Sequence, residues 1–224
     1  LSQGINKKYK IEFPICFINI GGISNITKIL KKDEIVDENL EAFDSGPGNC
    51  LIDEWIRKNS KKKFDENGSI ARSGKIDQLI LNQAIDNFKI NSYDKSLDIK
   101  NFDISFARGL SLEDGCATIT NFTAYLIAKG IEYSNNDKSK PITYFICGGG
   151  RKNKFLIQSI KDYLSNQTNL SLDLIDNYEF DGDYIESQAF GYLAIRSFLK
   201  LPISFPKTTG CDFQTIGGKL VQNF

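Results

Sequence analysis

The stretch ICFINIGGISNITKIL, residues 15–30, decides the fold of this chain. Its first six residues are mostly apolar and rich in isoleucine, which is typical of a buried strand, and they end at Gly21 and Gly22. From residue 23, apolar and polar residues alternate, and this pattern predicts a second, half-buried strand up to residue 30. Two such runs joined by a pair of glycines predict a β-hairpin.

The sequence beyond the hairpin predicts a third strand and then a helix. EIVDENLEAF (34–43) supplies the strand, so that three consecutive strands form a meander. NCLIDEWIRK (49–58) predicts an amphipathic helix with Asn49 as its N-cap. The apolar face of this helix carries Leu51, Ile52, Trp55 and Ile56.

The remainder of the chain alternates between helices and strands. We predict helices over 76–88 and 115–133, then a strand, a helix, a strand and a last helix over 141–147, 152–164, 170–175 and 183–200. A meander followed by alternating units predicts an α/β fold with a mixed sheet flanked by helices. This is the ribonuclease-H-like layout found in each lobe of actin, Hsp70-type ATPases and sugar kinases. We expect a core of residues 14–60 and 140–224 and a helical insertion over about 65–135.

The composition excludes several classes of function. The 224 residues carry no net charge, and the basic run RKNSKKK (57–63) is more typical of a solvated helix end than of a nucleic-acid site. No apolar stretch reaches the roughly 18–20 residues that a membrane span needs. The chain contains no histidine, so acid–base chemistry falls to Asp, Glu, Lys, Tyr or Cys. We therefore expect neither a nucleic-acid nor a membrane partner.

The chain has five cysteines and no methionine. The cysteines are widely spaced and form no Cys-x-x-Cys pair, which favours buried, reduced thiols in a cytosolic protein over disulfides or a metal cluster. The chain starts at Leu1 and not at methionine, so we expect a fragment whose N-terminal part is missing.

Three short segments are candidates for chemistry. Asp44, in DSGPGN, is either a plain turn residue or a reactive carboxylate held on a tight loop before the helix. Gly21 and Gly22 form either a simple hairpin turn or a backbone that approaches a phosphate closely. The three glycines 148–150 follow a buried strand and open a helix, which is the usual place for a nucleotide in an open α/β sheet.

Eight segments follow one another along almost the whole chain. They are NIGGISNIT (19–27), FDSGPGNCLIDEW (43–55), FDENGSIARSG (64–74), KSLDIKNFD (95–103), ATITNFTA (117–124), CGGGRKN (147–153), IESQAFGYLA (185–194) and TTG (208–210). Together, and in this order, they resemble the motifs of the anhydro-N-acetylmuramic acid kinase family.

The resemblance implies a cytoplasmic bacterial enzyme of cell-wall recycling. Such an enzyme uses ATP and water to open the 1,6-anhydro bridge of anhydro-N-acetylmuramic acid, and it releases N-acetylmuramic acid 6-phosphate. The implied protein is a homodimeric sugar kinase that takes ATP, an anhydro amino sugar and Mg²⁺ carried with the ATP, without a dedicated metal site of its own. The family has two lobes, and this chain resembles the second, C-terminal one, so we expect the isolated chain to be inactive.

The resemblance also implies roles for individual residues. Asp44 matches the base that activates water, and Asp44, Gly46, Gly48 and Asn49 match the substrate site. The nucleotide-binding residues are expected to be Gly21, Gly22, Asn25, Gly148, Gly149, Gly150 and Asn153. Glu186 and Asp114 are weaker candidates, because an acid in the first turn of a helix also interacts favourably with the helix dipole.

One segment departs from the family pattern. The family usually has two prolines before its Lys-Ser pair, whereas Tyr93 and Asp94 precede Lys95 here, which leaves the role of Lys95 open. Two alternatives to the full kinase also remain. Another sugar or acetate kinase of the same fold would share the glycine segments but not FDSGPGN. A catalytically incomplete lobe would serve only nucleotide binding, sugar binding or dimer formation.

Overall fold

The fold is built on one mixed sheet of five strands. The computed structural model describes residues 8–31, 39–88, 93–219 and 221. The strands are β1 (Ile15–Ile20), β2 (Ile23–Ile29), β3 (Leu40–Pro47), β4 (Ile142–Cys147) and β5 (Leu170–Leu174), in the spatial order β3-β2-β1-β4-β5. The first three strands pair antiparallel as a meander, and β4 and β5 continue the sheet in parallel from β1. The predicted fold class, a ribonuclease-H-like mixed sheet with flanking helices, is confirmed.

Helices connect the strands and cover the sheet. They are α1 (Cys50–Asn59), α2 (Ser69–Ser73), α3 (Gln78–Asn87), α4 (Leu112–Ser134), α5 (Lys154–Tyr163), α6 (Ile185–Phe198) and α7 (Pro206–Thr209). The predicted helices over 49–58, 76–88, 115–133, 152–164 and 183–200 are all present, with ends that differ by up to three residues. None of the described helices combines the length and the apolar character needed to cross a membrane.

The long helix α4 lies at the centre of the core. It packs on β2 and β3 on one side and on α1, α2, α3 and α5 elsewhere along its length. Helix α1 joins it through Trp55, whose Nε1 donates a hydrogen bond of 2.9 Å to the carbonyl of Leu112. Leu51, Ile52 and Ile56 are fully buried beside it, and burying each such side chain stabilises the fold by about 1.5–3 kcal/mol. These contacts set the position of the α1 N-terminus, where the candidate site begins.

The third strand differs from the prediction. We predicted it over 34–43 with Asp44 in the following loop, but β3 runs to Pro47 and contains Asp44; residues 34–38 lie outside the described part. Two buried hydroxyls explain the extension. Ser24 and Ser45 lie 2.8 Å apart, and Ser24 also donates to the Gly46 carbonyl at 3.1 Å, which holds the end of β3 against β2 across a bulge. Proline is tolerated there because β3 is the edge strand of the described sheet and needs no further N–H donor.

The cysteine environments agree with the expectation of buried thiols. Cys16, Cys50, Cys116 and Cys147 are buried, Cys211 is partly exposed, and all five are free. Burial raises the pKa of Cys16 to about 12 and that of Cys147 to about 11, so both stay protonated and unreactive at neutral pH.

Candidate functional site

A row of polar residues crosses the sheet near the ends of its strands. Asp44 of β3 pairs with Asn25 of β2, Asn25 pairs with Asn19 of β1, and Asn19 pairs with Cys147 of β4. Directly paired residues on neighbouring strands project to the same face of a sheet. Side chains from three separate sequence motifs therefore lie side by side.

The glycine pair of the hairpin joins the N-terminus of α1. The Gly22 carbonyl accepts hydrogen bonds from the N–H groups of Gly48 (2.9 Å) and Cys50 (3.1 Å), and the Gly21 carbonyl accepts one from Asn49 (2.7 Å). A Cβ on Gly48 would lie 2.3 Å from the Gly21 oxygen, so only glycine fits at this crossing. The first glycine segment and the FDSGPGN motif thus form one rigid junction.

Asn49 occupies the N-cap position of α1, but it does not cap the helix with its side chain. Its Nδ2 donates instead to the Ile20 carbonyl, at 3.4 Å. The prediction of Asn49 as the N-cap is therefore confirmed for its position, but its side chain makes no capping bond. The side chain faces the end of β1 and lines the cleft described below.

Asn19 connects the two glycine segments. A Cβ built on Gly148 would lie 2.3 Å from Asn19 Oδ1, and one built on Gly21 would lie 4.0 Å from Asn19 Nδ2. Asn19 was not predicted as a site residue. The signal was present, because an amide in the otherwise apolar strand ICFINI marks a position where the strand meets a polar environment.

The carboxylate of Asp44 is held by the loop that departs from the family pattern. Its Oδ2 accepts a hydrogen bond of 2.8 Å from the backbone N–H of Leu97. Tyr93, at the start of that loop, makes an edge contact with Phe43 (ring centroids 5.0 Å apart) and a tilted ring contact with Tyr133 of α4 (4.4 Å). The aromatic contact anchors the loop beside Asp44. Lys95 itself is exposed.

A cleft of about 270 Å³ opens between α1, the segment after it, and the start of α5. It brings together three residues predicted for the site, Asn49, Gly149 and Asn153. Gly149 is exposed in it, and a Cβ there would meet nothing closer than Asn49 Nδ2 at 3.8 Å. The remaining lining residues are Ile52, Asp53, Phe64, Asp65, Asn67 and Lys152.

Some polar side chains of this cleft already make hydrogen bonds within the protein. Asp65 is buried and accepts hydrogen bonds from the N–H groups of Ile70 (2.8 Å) and Ala71 (3.0 Å), so it anchors the start of α2. Asn153 caps α5, because its Oδ1 accepts from the Leu156 N–H at 3.0 Å. Burial raises the pKa of Asp53. Asp65, Asn67 and Lys152 were not predicted for the site, although all three lie inside motifs quoted above.

Arg151 fixes the second glycine segment, and this role was not predicted either. The side chain is 5% exposed, and Nε and Nη2 bind both carboxylate oxygens of Asp176 at 2.8 and 3.1 Å. Its Nη1 donates to Asp183 at 2.8 Å and to the Gly148 carbonyl at 3.1 Å. These bonds lower the pKa of both carboxyl groups, that of Asp183 to about 2. Arg151 thereby ties the glycine turn to the loop before α6.

Two weaker candidates lie away from the cleft. Asp114, in the first turn of α4, accepts a hydrogen bond of 2.7 Å from the Lys75 N–H, which lowers its pKa and ties the segment before α3 to α4. Glu186 is exposed in the first turn of α6. In the described parts of the chain, no group of three or more Cys, Asp or Glu side chains is arranged to hold a metal ion.

Comparison with known proteins gives a consistent result. A family model for anhydro-N-acetylmuramic acid kinase matches residues 10–223. The anhydro-N-acetylmuramic acid kinase of Pelagibacter ubique is 52% identical over 96% of this chain and 57% of its own length, and that of Brucella canis is 38% identical over 93% and 54%. This chain therefore spans about half the length of the curated relatives that it matches.

Solved structures align with this chain at low similarity. One of them is the activator of 2-hydroxyisocaproyl-CoA dehydratase from Clostridium difficile, with 15% identity and a TM-score of 0.46 over 77% of this chain and 57% of that one. The assignment depends instead on the family match, which covers nearly every residue and includes both glycine segments, Asp44 and the cleft. By that match, this chain belongs to the anhydro-N-acetylmuramic acid kinase family.

Proposed function

We propose that this chain is the C-terminal lobe of a two-lobed kinase for anhydro-N-acetylmuramic acid. In this proposal, residues 14–60 and 140–224 form the core of the lobe and residues 65–135 a helical insertion. One observation carries the proposal: the polar row puts Asp44 in line with Cys147, which directly precedes the second glycine segment, and the glycine junction ties the first glycine segment to the residues that follow Asp44, although the two glycine segments are more than 100 residues apart. A kinase needs such convergence, because phosphoryl transfer depends mainly on positioned donors and charges.

Asp44 is proposed as the general base. Water attacks the anomeric carbon of the anhydro sugar and passes its proton to the Asp44 carboxylate. The bond from that carbon to O6 breaks, O6 takes the γ-phosphoryl group of ATP, and ADP leaves. A carboxylate suits this step because the chain contains no histidine. The Leu97 N–H holds Oδ2, and in this proposal the other carboxylate oxygen accepts the proton. Gly46, Gly48 and Asn49 would contact the sugar on the same side.

The nucleotide is proposed to lie along the two glycine segments and in the cleft. Gly149 leaves open space, Asn49 and Asn153 offer amide groups, and Lys152 supplies a positive charge at the rim. Gly21, Gly22, Asn25, Gly148 and Gly150 complete this proposed surface. Mg²⁺ would arrive with the phosphates and neutralise charge there, keeping most of its own water ligands.

A valine at Gly149 tests the nucleotide site. Its side chain would fill the cleft without meeting the fold, because the nearest atom to a Cβ there is 3.8 Å away. In a protein that contains both lobes, we expect Gly149→Val to weaken ATP binding at least about tenfold, in line with the cost of overfilling a packed site. The circular dichroism spectrum of the variant should be unchanged. Isothermal titration calorimetry measures the affinity. An unchanged Kd in the folded variant would contradict the site.

Gly150→Val is the contrasting variant. A Cβ at Gly150 would lie 2.3 Å from Ile20 Cγ2, inside the core, so this variant should lose stability. A Gly150→Val protein as stable as the parent would contradict the close packing of Gly150 against Ile20.

The isolated chain should not turn over ATP. The proposed kinase needs contacts from two lobes, and this chain corresponds to only 57% of the Pelagibacter protein. The active form for testing is therefore a chimera, in which this chain replaces its matched region within the Pelagibacter protein; we call this the completed chimera. We expect ADP and phosphosugar release that depends on the anhydro sugar from the completed chimera only. Sugar-dependent turnover by the isolated chain would refute the two-lobe requirement.

We further propose, from the family resemblance, that the complete enzyme is a cytoplasmic homodimer of peptidoglycan recycling. Light scattering on the completed chimera gives its mass directly. A monomer at micromolar concentration would contradict the dimer without affecting the proposed reaction.

A further inference from the structure

Helix α6 presents an apolar face that no described part of the chain covers. It is the only described helix of ten or more residues without a buried residue, although its sequence IESQAFGYLAIRSF is largely apolar. By contrast, α5 buries Leu156, Ile157 and Ile160. Only Ile185, the first residue of α6, packs against a core cluster. An apolar helix that covers nothing is not explained by the fold of this chain alone.

The uncovered residues form a continuous stripe. The residues one, four, five and eight positions after Phe190 lie on the same side of the helix as Phe190. Phe190 is 65% exposed, Ile195 61% and Phe198 71%. We call the stripe the α6 face; it consists of Phe190, Gly191, Ala194, Ile195 and Phe198. Contiguous apolar surface of this kind on a protein usually marks an interface.

The rest of α6 is occupied by the C-terminal segment. Arg196 donates from Nε to the Pro202 carbonyl at 2.7 Å, and its guanidinium lies over the rings of Tyr192 and Phe205 at 5.6 and 5.9 Å. Ser197 donates to the Gly217 carbonyl. Arg196 lies on the side of the helix opposite the centre of this face, and Ser197 lies at its border beside Phe190, so the C-terminal segment holds the helix without covering Phe190, Ile195 or Phe198.

We infer that the α6 face docks against the polypeptide that makes up the rest of the longer family members, as the contact surface between the two lobes. This inference rests on the two-lobe organisation proposed above. The face carries no charged residue, since Glu186 and Arg196 are the only charged residues of α6, so an apolar protein surface suits it better than an acidic or basic ligand.

Two further observations select this occupant. The Pelagibacter and Brucella relatives contain a large part that this chain does not match, because the match covers only 57% and 54% of their lengths. The start of α6 also borders the candidate site: Ile185 packs in the cluster that contains Cys147, and Arg151 joins the Gly148 carbonyl to Asp183, two residues before α6. A lobe seated on the α6 face would therefore adjoin the glycine turn, where a kinase needs further phosphate contacts.

Cysteine labelling tests the inference without any activity measurement. In a Cys211→Ser background, Phe190→Cys is introduced into the isolated chain and into the completed chimera, and its rate of reaction with a maleimide is measured. Leu79→Cys is the matched control, because Leu79 is 79% exposed on α3, away from the α6 face. Buried Cys16 and Cys116 stay unreactive in a folded protein and so report on folding in each sample.

We expect Phe190→Cys to react at least tenfold more slowly in the completed chimera than in the isolated chain, while Leu79→Cys reacts equally fast in both. The same protection should appear when the isolated chain is mixed with the separately produced remainder of the Pelagibacter protein. Equal rates for Phe190→Cys in every format with a folded partner would overturn the inference. Slow labelling in the isolated chain that speeds up on dilution would also overturn it, because a second copy would then be the occupant. Turnover by the same chimera tests the proposed reaction separately.

Discussion

Replacing Asp44 by asparagine in the completed chimera should lower turnover at least about a hundredfold while leaving substrate binding nearly intact. The amide keeps the size of the side chain and an oxygen that can accept from the Leu97 N–H, so the local geometry is retained. It cannot take a proton from water at neutral pH. Loss of a general base typically lowers the rate about 10²- to 10⁴-fold, and we expect kcat to fall within that range.

The role of Asp44 is tested by measuring phosphosugar formation, ADP formation and the affinity for the sugar. Bridge opening and phosphorylation are parts of one event in the proposed reaction, so phosphosugar and ADP formation should fall together, while calorimetry gives an almost unchanged sugar affinity. Glu113→Gln, at an exposed acid in the first turn of α4, is the matched control and should keep full activity. If Asp44→Asn kept more than roughly a tenth of kcat, the loss would be smaller than a general base explains, and Asp44 would be left with a structural role.

Replacing Arg151 by methionine should produce the largest loss of stability among the site variants. The guanidinium is almost fully buried and joins Asp176, Asp183 and the Gly148 carbonyl. Removing one partner of a buried ion pair leaves the other charges poorly compensated, and because both carboxylates remain partly solvated we expect a loss of about 2–4 kcal/mol. Urea denaturation followed by circular dichroism measures the free energy of unfolding.

Lys152→Met is the control for the same cluster. It removes another cation from Asp183, but at an exposed pair 2.7 Å apart, where such interactions contribute at most about 1 kcal/mol. Equal losses of unfolding free energy in Arg151→Met and Lys152→Met would show that the burial of Arg151 adds nothing to stability.

The same cluster predicts a dependence of stability on pH. Hydrogen bonds from Arg151, and from Lys152 to a lesser extent, lower the pKa of Asp183 from its ordinary 3.8 to about 2. A carboxyl with a lowered pKa stabilises the fold above its ordinary value, and the contribution is lost as the pH falls toward the lowered one. The difference in unfolding free energy between the parent and Arg151→Met should therefore narrow between about pH 4 and pH 2. If the difference in unfolding free energy between the parent and Arg151→Met stayed constant down to about pH 2, protonation of Asp183 would not be coupled to stability.

Much of the candidate site was predictable because its signals are local. The neighbouring residues alone identify the glycines that follow the strands ending at residues 20 and 147. They also identify an acid, Asp44, just before a glycine–proline turn. Asn49, Gly149 and Asn153 do line one cleft. Their roles in binding and catalysis are proposals that this arrangement supports.

Other site residues could not be predicted because their partners are distant in the sequence. Arg151 meets Asp176 and Asp183, which are 25 and 32 residues away, and Asp44 meets a backbone N–H 53 residues away. A charge pattern does not reveal which acid an arginine will reach. A backbone donor leaves no mark on the sequence, because every residue except proline carries one.

The sequence by itself determined the order and type of the elements. Apolar residues recur with period two in strands and about 3.6 in helices, and this periodicity is a property of each short segment. The tertiary structure alone decided that β3 extends through Asp44 to Pro47, that Asp44, Asn25 and Asn19 share one row, and that the α6 face stays uncovered. Register, bulges and burial depend on contacts between segments far apart in the chain, and a local pattern carries no information about them.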